Sequence, residues 1–361
     1  MQETKKFRVN LGTFDLVKGI AMIFVVIGHV TYYFDVSKMS IIAPIFMLLT
    51  FVSNGLIPLF FIISGYGFKK KSVGAMLKDT ARDMIKPYIV VMVLVTLFFP
   101  IAHYLTFRWW PGAMQETIRY LLAFLTGVAR PGKIMFGYSL YDCAVVWFFL
   151  AMFVAMNILN LILKIQREYV QAALVAVCIL TGWGLFSIGF TYYCIPQGFV
   201  AVGFCYIGYL FKQYRVLERA KSTKVLYGIY LVLFLITLWQ SHNCRFGLAY
   251  GYFENFGRDY FCAACTGILF LLLGAYCGQA EWDGLNWIRK VGLFTYWIMC
   301  IHSVEEICIP WYKWSETMAN HQLLGFTIEM GIKTIIYTVV CLILKKITKY
   351  LYIKRRGNNG K

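Results

Sequence analysis

Phe14-Asp-Leu-Val-Lys-Gly-Ile-Ala-Met-Ile-Phe-Val-Val-Ile-Gly-His-Val-Thr-Tyr-Tyr-Phe34 is almost wholly apolar. At about 20 residues it has the length of a helix that crosses a bilayer. Lys18 and His29 do not belong in lipid. Spaced at about 100° per residue, they fall within about 20° of one helix face, about 16 Å apart along the axis. Lys18, Met22, Val25 and His29 therefore form one stripe. An ionisable group inside a membrane is a functional candidate by default.

The rest of the chain has the same character. Of 361 residues, 60% are hydrophobic, 18% aromatic and only 14% charged. That composition excludes a soluble globular protein and points to an all-α, polytopic membrane protein. About ten transmembrane helices are expected, over 14–34, 43–68, 87–106, 143–163, 170–190, 196–211, 225–240, 260–278, 292–311 and 323–344. A short amphipathic piece near Ile118–Val128 reads as interfacial or re-entrant. The first run is too long for a signal peptide and has no small-residue cleavage site after it, so it is expected to stay as the first span.

The net charge is +18. No basic stretch is interleaved with aromatics as an RNA-binding surface would be, so nucleic acid is rejected as a partner. The cations instead alternate between loops. One set of loops, from Lys5, Lys6 and Arg8 through Lys69–Lys71, Arg82, Lys86 and Lys221 to Lys361, carries about 25 of them, and the opposite set about eight. By the positive-inside rule this places both termini in the cytoplasm, Lys18 at the cytoplasmic end of the first helix and His29 in the outer half. One domain over 1–350, followed by a short basic cytoplasmic tail over 351–361, describes the chain; the tail from Arg355 on reads as disordered. The outer loops 107–142, 241–259 and 312–322 are aromatic. Trp109, Trp110, Tyr138, Tyr141, Tyr250, Tyr252, Trp311 and Trp314 form either an interfacial belt or a sugar-stacking surface. The eleven cysteines, Cys262 and Cys265 included, read as buried thiols, because no second pair or histidine stands beside that pair.

His302, in Thr295-Tyr-Trp-Ile-Met-Cys-Ile-His-Ser-Val-Glu-Glu-Ile307, lies at a depth similar to His29 on an outward-running helix. Glu305 and Glu306, three and four residues on, either share its face and orient the imidazole or sit at the outer interface in water. Either histidine could instead be a core residue bonded to a carbonyl. As a base, imidazole suits neutral pH. Asp15 is placed to pair with Lys18. Ser64 and its glycine neighbours suit close helix packing. Lys69–Lys71, Arg82 and Lys86 either set topology alone or form a phosphate-binding patch with Lys18. Glu329 and Lys333, spaced i, i+4, read as a structural pair.

These stretches together resemble the membrane-bound acyltransferase-3 family, and within it the fucose 4-O-acetylase-like branch. Phe14-Asp-Leu-Val-Lys-Gly-Ile-Ala through Val-Val-Ile-Gly-His29 is similar to its first-helix signature, with Lys18 where Arg is common. Pro58-Leu-Phe-Phe-Ile-Ile-Ser-Gly-Tyr66, Lys86-Pro-Tyr88, Val146-Trp-Phe-Phe-Leu150, Ile207-Gly-Tyr-Leu-Phe-Lys212 and Thr295-Tyr through His302 follow in the family's order. The resemblance covers nearly the whole chain. It implies an O-acyltransferase of the plasma membrane, acting on a hydroxyl of a cell-envelope carbohydrate with cytoplasmic acyl-CoA, usually acetyl-CoA, as donor. No metal or tightly bound cofactor is implied; membrane lipids surround the protein. His29, His302, Glu305 and Glu306 would be catalytic, and Lys18, Arg82, Lys86 and Ser64 would hold the donor. A transporter of a glycan or small molecule on the same fold is the alternative, and a covalent acyl relay is the alternative to direct transfer.

Overall fold

A computed structural model describes residues 11–219, 224–277 and 283–358. Lys5, Lys6, Arg8, Lys221 and Lys361 of the charge pattern lie outside the described residues. Every stretch expected to span the membrane is a helix. These helices are α1 (Leu11–Val30), α2 (Ala43–Tyr66), α4 (Lys86–Phe107), α6 (Trp147–Ile162), α7 (Glu168–Ser187), α8 (Ile195–Gln213), α10 (Lys224–Asn243), α11 (Phe256–Cys277), α12 (Asn286–Cys308) and α14 (Gln322–Asn358). Helix satisfies every backbone polar group within its own segment, which lipid demands. Among the described residues, seven helical segments are long and apolar enough to cross a membrane by length and composition, so the protein is an all-α, multi-pass membrane protein. In α14 the helix runs on through Asn358, so most of the segment assigned to a disordered tail continues it.

The shorter elements were not foreseen. Helix α3 (Val73–Thr80) occupies the basic loop and joins α4 through a π-helical turn, Ala81–Ile85. Pro87 follows at once and has no amide to give the turn before it. The Lys86 amide bonds five residues back, to Ala81 O, which is the wide turn such a gap produces. The amphipathic piece is longer than expected: α5 spans Trp110–Thr126 and packs on α4. Two-residue strands β1 (Ile134–Met135) and β2 (Tyr138–Ser139) make one hairpin, and β3 (Phe246–Gly247) and β4 (Tyr252–Phe253) another. Helix α9 (Val216–Arg219) and helix α13 (Trp311–Thr317) are short connectors.

Helix α8 is the packing hub, lying against α2, α6 and α7, with Val200, Ala201, Val202, Phe204 and Cys205 all buried. It meets α2 at two glycines. A Cβ on Gly65 would stand 1.9 Å from Cys205 O, and one on Gly208 would stand 1.9 Å from Ile62 O. This is the small-residue contact expected near Ser64.

A second glycine crossing positions the site. Gly19 lies against the Ile288 carbonyl, and Gly292 against the Asp15 carbonyl. Farther along the same two helices, His29 meets His302 and Tyr33 meets Glu306. The contacts climb together, so α1 and α12 run parallel. A Cβ on Gly292 would fall 1.7 Å from Asp15 O, a backbone atom. Gly292→Ala therefore forces the helices apart. It should cost about 1–3 kcal/mol, as overpacking does, and lower the thermal midpoint in detergent; an unchanged midpoint would show that the crossing is loose.

Candidate active site

The stripe read from the first helix faces one cavity. Met22, Val25 and His29 line a space of about 470 Å³, with Phe60, Trp147 and Glu306 among its walls. Lys18, the fourth member, is not part of that wall. Its Nζ pairs with Asp15 Oδ1 at 2.8 Å, and its side chain keeps 29% exposure. The pairing expected between those two residues is present.

The two histidines come together. Their ring centroids are 5.0 Å apart, edge to face. His302 is fully buried. Its Nδ1 lies 2.7 Å from Glu305 Oε1 and 3.0 Å from the Tyr337 hydroxyl. A carboxylate accepts and cannot donate, so the His302 proton sits on Nδ1. In the neutral imidazole Nε2 then carries the lone pair, and it has no hydrogen-bond partner among the described residues.

Glu305 and Glu306 do not stand in water. Glu305 is 4% exposed and accepts from four groups: His302, the Tyr337 hydroxyl at 2.8 Å, Trp311 Nε1 at 2.5 Å, and Lys333 Nζ at 2.9 Å. Glu306 accepts from the Tyr33 hydroxyl at 2.8 Å and from Lys333 Nζ at 2.7 Å, and it reaches the cavity wall. Of the four residues assigned to chemistry, His29 and Glu306 face the cavity, while His302 and Glu305 stand behind them.

Lys333 is the residue the sequence undervalued. Its pair with Glu329 is real, at 3.5 Å with both residues fully buried. The ammonium nevertheless spends its hydrogen bonds on Glu305 and Glu306, and it lies over the Trp311 ring at 4.7 Å from the centroid. Both Glu329 oxygens are left without a hydrogen bond among the described residues. A lysine in the middle of an apolar helix was the available signal. The tidy i, i+4 spacing to Glu329 diverted it. Trp311 is likewise buried, not part of an outer belt.

His302, Glu305 and Glu306 hold donor atoms within 4.8 Å of one another, a spacing open to a metal ion. The Lys333 ammonium already sits between the two carboxylates, where such an ion's charge would go.

The donor-side residues are spread over a surface. Arg82, on the π turn, is exposed and pairs with Asp83 at 2.7 Å and Asp79 at 3.4 Å. Lys71 also bonds Asp79, and holds that carboxyl below the usual carboxylate range. Lys86 is exposed. Ser64 donates to Phe60 O of its own helix at 2.9 Å. Among the described residues, no hydrogen bond or ion pair joins Lys18, Ser64, Arg82 and Lys86. The basic loop is fixed by Asn160, which nothing in the sequence marks, and by Lys212, which ends the Ile207–Lys212 motif. Asn160 bonds both the amide and the carbonyl of Lys71, at 3.1 and 3.2 Å, and Lys212 Nζ donates to Phe68 O at 3.2 Å.

A family model described as an acyltransferase domain matches residues 11–346. No curated protein and no solved structure matches the chain.

Proposed function

Since the chain belongs to the acyltransferase-3 family of membrane acyltransferases, we propose that it moves an acyl group, acetyl by preference, from acyl-CoA to a hydroxyl of a cell-envelope carbohydrate at the plasma membrane. The observation that carries this reading is the imidazole of His29 on a cavity wall, backed by the His302–Glu305 pair. In this reading His29 takes the proton of the acceptor hydroxyl as its oxygen attacks the thioester carbonyl. The C–S bond breaks, and the CoA thiolate leaves and recovers a proton. The bare Nε2 of His302 offers a lone pair beside His29, suited to sharing the proton while the new bond forms. Glu306, fixed by Lys333 and Tyr33, would orient the acceptor.

The donor would enter at the Lys18 end. Lys18 and the loop carrying Lys69–Lys71, with Arg82, Lys86 and Lys212 close in sequence or contact, offer cations for the nucleotide phosphates. The pantetheine arm is thin and uncharged, and the Met22–Val25 wall that leads to His29 carries no charge to oppose it. Ser64 would then contribute packing beside the donor path.

The test is purified protein in nanodiscs with labelled acetyl-CoA and candidate glycans. Label should reach glycan. Lys18→Ala should raise KM for acetyl-CoA about tenfold, the size of a lost charge-assisted contact, with kcat less affected. Protein that neither binds acetyl-CoA nor transfers label would favour transport of a glycan or small molecule instead.

A further inference from the structure

The wall of the His29 cavity is unusual in its charges. It holds two carboxylates, Asp142 and Glu306, and neither lysine nor arginine. Around them stand hydroxyl-bearing and flat rings: Tyr32, Tyr120, Tyr250 and Trp147. The cations of the adjoining loop are turned elsewhere. Arg119 Nη1 donates to both oxygens of Glu116, and the guanidinium lies over the Tyr141 ring at 4.1 Å. Lys133 donates to Gly189 O at 2.6 Å, and Arg130 is exposed. Lys333 donates to one Glu306 oxygen at 2.7 Å but is not part of the cavity wall.

Asp142 has no such partner. One carboxyl oxygen accepts from the Ala144 amide at 2.9 Å, and among the described residues it makes no ion pair. Aromatic faces with a few fixed polar groups are the chemistry that binds sugars and other polyols.

We propose that this cavity takes an uncharged, hydroxyl-bearing acceptor, that Asp142 reads its hydroxyls, and that anionic analogues are turned away because the wall offers them carboxylates and no counter-cation. The proposal rests on the acyl-transfer reading only in calling the occupant an acceptor. A uronate carboxylate or a phosphate in this space would face Asp142 and Glu306 together, and like charges set side by side cost several kcal/mol.

The experiment uses the full chain in nanodiscs and a panel of methyl hexosides paired with their C6-oxidised uronates, read by saturation-transfer NMR. Neutral members should bind at least about tenfold tighter than their uronate partners. Asp142→Asn keeps a hydrogen-bonding side chain and removes the charge, so it should narrow that gap; Asp142→Ala should weaken the neutral members. Equal or tighter binding of the uronates by the unmodified protein overturns the proposal without appeal to any variant. So does failure of every neutral member to bind. Acetyl transfer is measured on the same samples. Selective binding of neutral hexosides without transfer sinks the acyltransferase chemistry and leaves the selectivity standing. Transfer with no regard to charge sinks the selectivity alone.

Discussion

Lys333→Met should destabilise the protein by about 3–5 kcal/mol, the usual result of removing one partner from a buried ionic group. The ammonium is fully buried and within ion-pair distance of Glu305, Glu306 and Glu329. Methionine fills similar space without charge. Three carboxylates would then face one another around a vacated centre, and each would need a proton or water to remain. The measurement is the thermal midpoint in detergent, followed by intrinsic fluorescence, since Trp311 packs against the same ammonium. Adding Glu329→Gln to Lys333→Met should recover part of the loss, because one of the three stranded charges is gone. A melting curve equal to that of the parent would mean that the cluster is neutral without Lys333, and the electrostatic account would be abandoned.

The second large effect is on rate. His29→Ala should slow acyl transfer by about 10²–10⁴-fold, the range for loss of a general base, with little change in stability. The asymmetry follows from position. His29 presents its ring to a cavity, so its removal strands no buried partner. His302→Ala removes the donor to Glu305 and opens a void in a closed part of the core, so that variant should lose both rate and stability. Comparing the two separates a group that acts on the acceptor from one that holds the machinery. Full activity in His29→Ala would remove it from the chemistry, and with it the meaning of the stripe.

Much of the fold was legible because lipid imposes a simple rule. A long apolar run must satisfy its own backbone, and helix is the solution available to a single segment. The misses came where water decides. The Val73–Thr80 helix, the π turn before Pro87 and the two small hairpins depend on local caps, prolines and turn residues, not on hydrophobic length.

The candidate site divides the same way. His29, His302, Glu305 and Glu306 were visible because polar groups in lipid are costly and so stand out. Their companions were hidden by looking ordinary. Trp311 reads as an outer-loop aromatic, and nothing in the sequence marks Tyr33 or Tyr337, yet each gives its polar hydrogen to a glutamate. Asp142 sits in a loop with no periodicity to betray which way it faces. The donor-side cations stand out by sign, by their place on the cytoplasmic side and by the family resemblance. In the fold, Arg82 turns to Asp79 and Asp83, a competition that spacing along the sequence did not reveal.

The parallel pairing of α1 with α12 also bears on how the protein is made. Tyr33 and Glu306 are 273 positions apart, so α1 enters the bilayer long before its partner is synthesised. Until then His29 and Lys18 must wait, Lys18 with Asp15 beside it and His29 without its backing. Helix α14 arrives last of the long helices with the same difficulty and the same remedy. Glu329 travels on its own helix one turn from Lys333, so the lysine brings a counter-ion through the translocon and adds Glu305 and Glu306 to it once α12 is in reach. The spacing that looked like decoration on a finished helix is then a passport used during insertion, and a ribosome that stops before α14 leaves a bundle with no working centre.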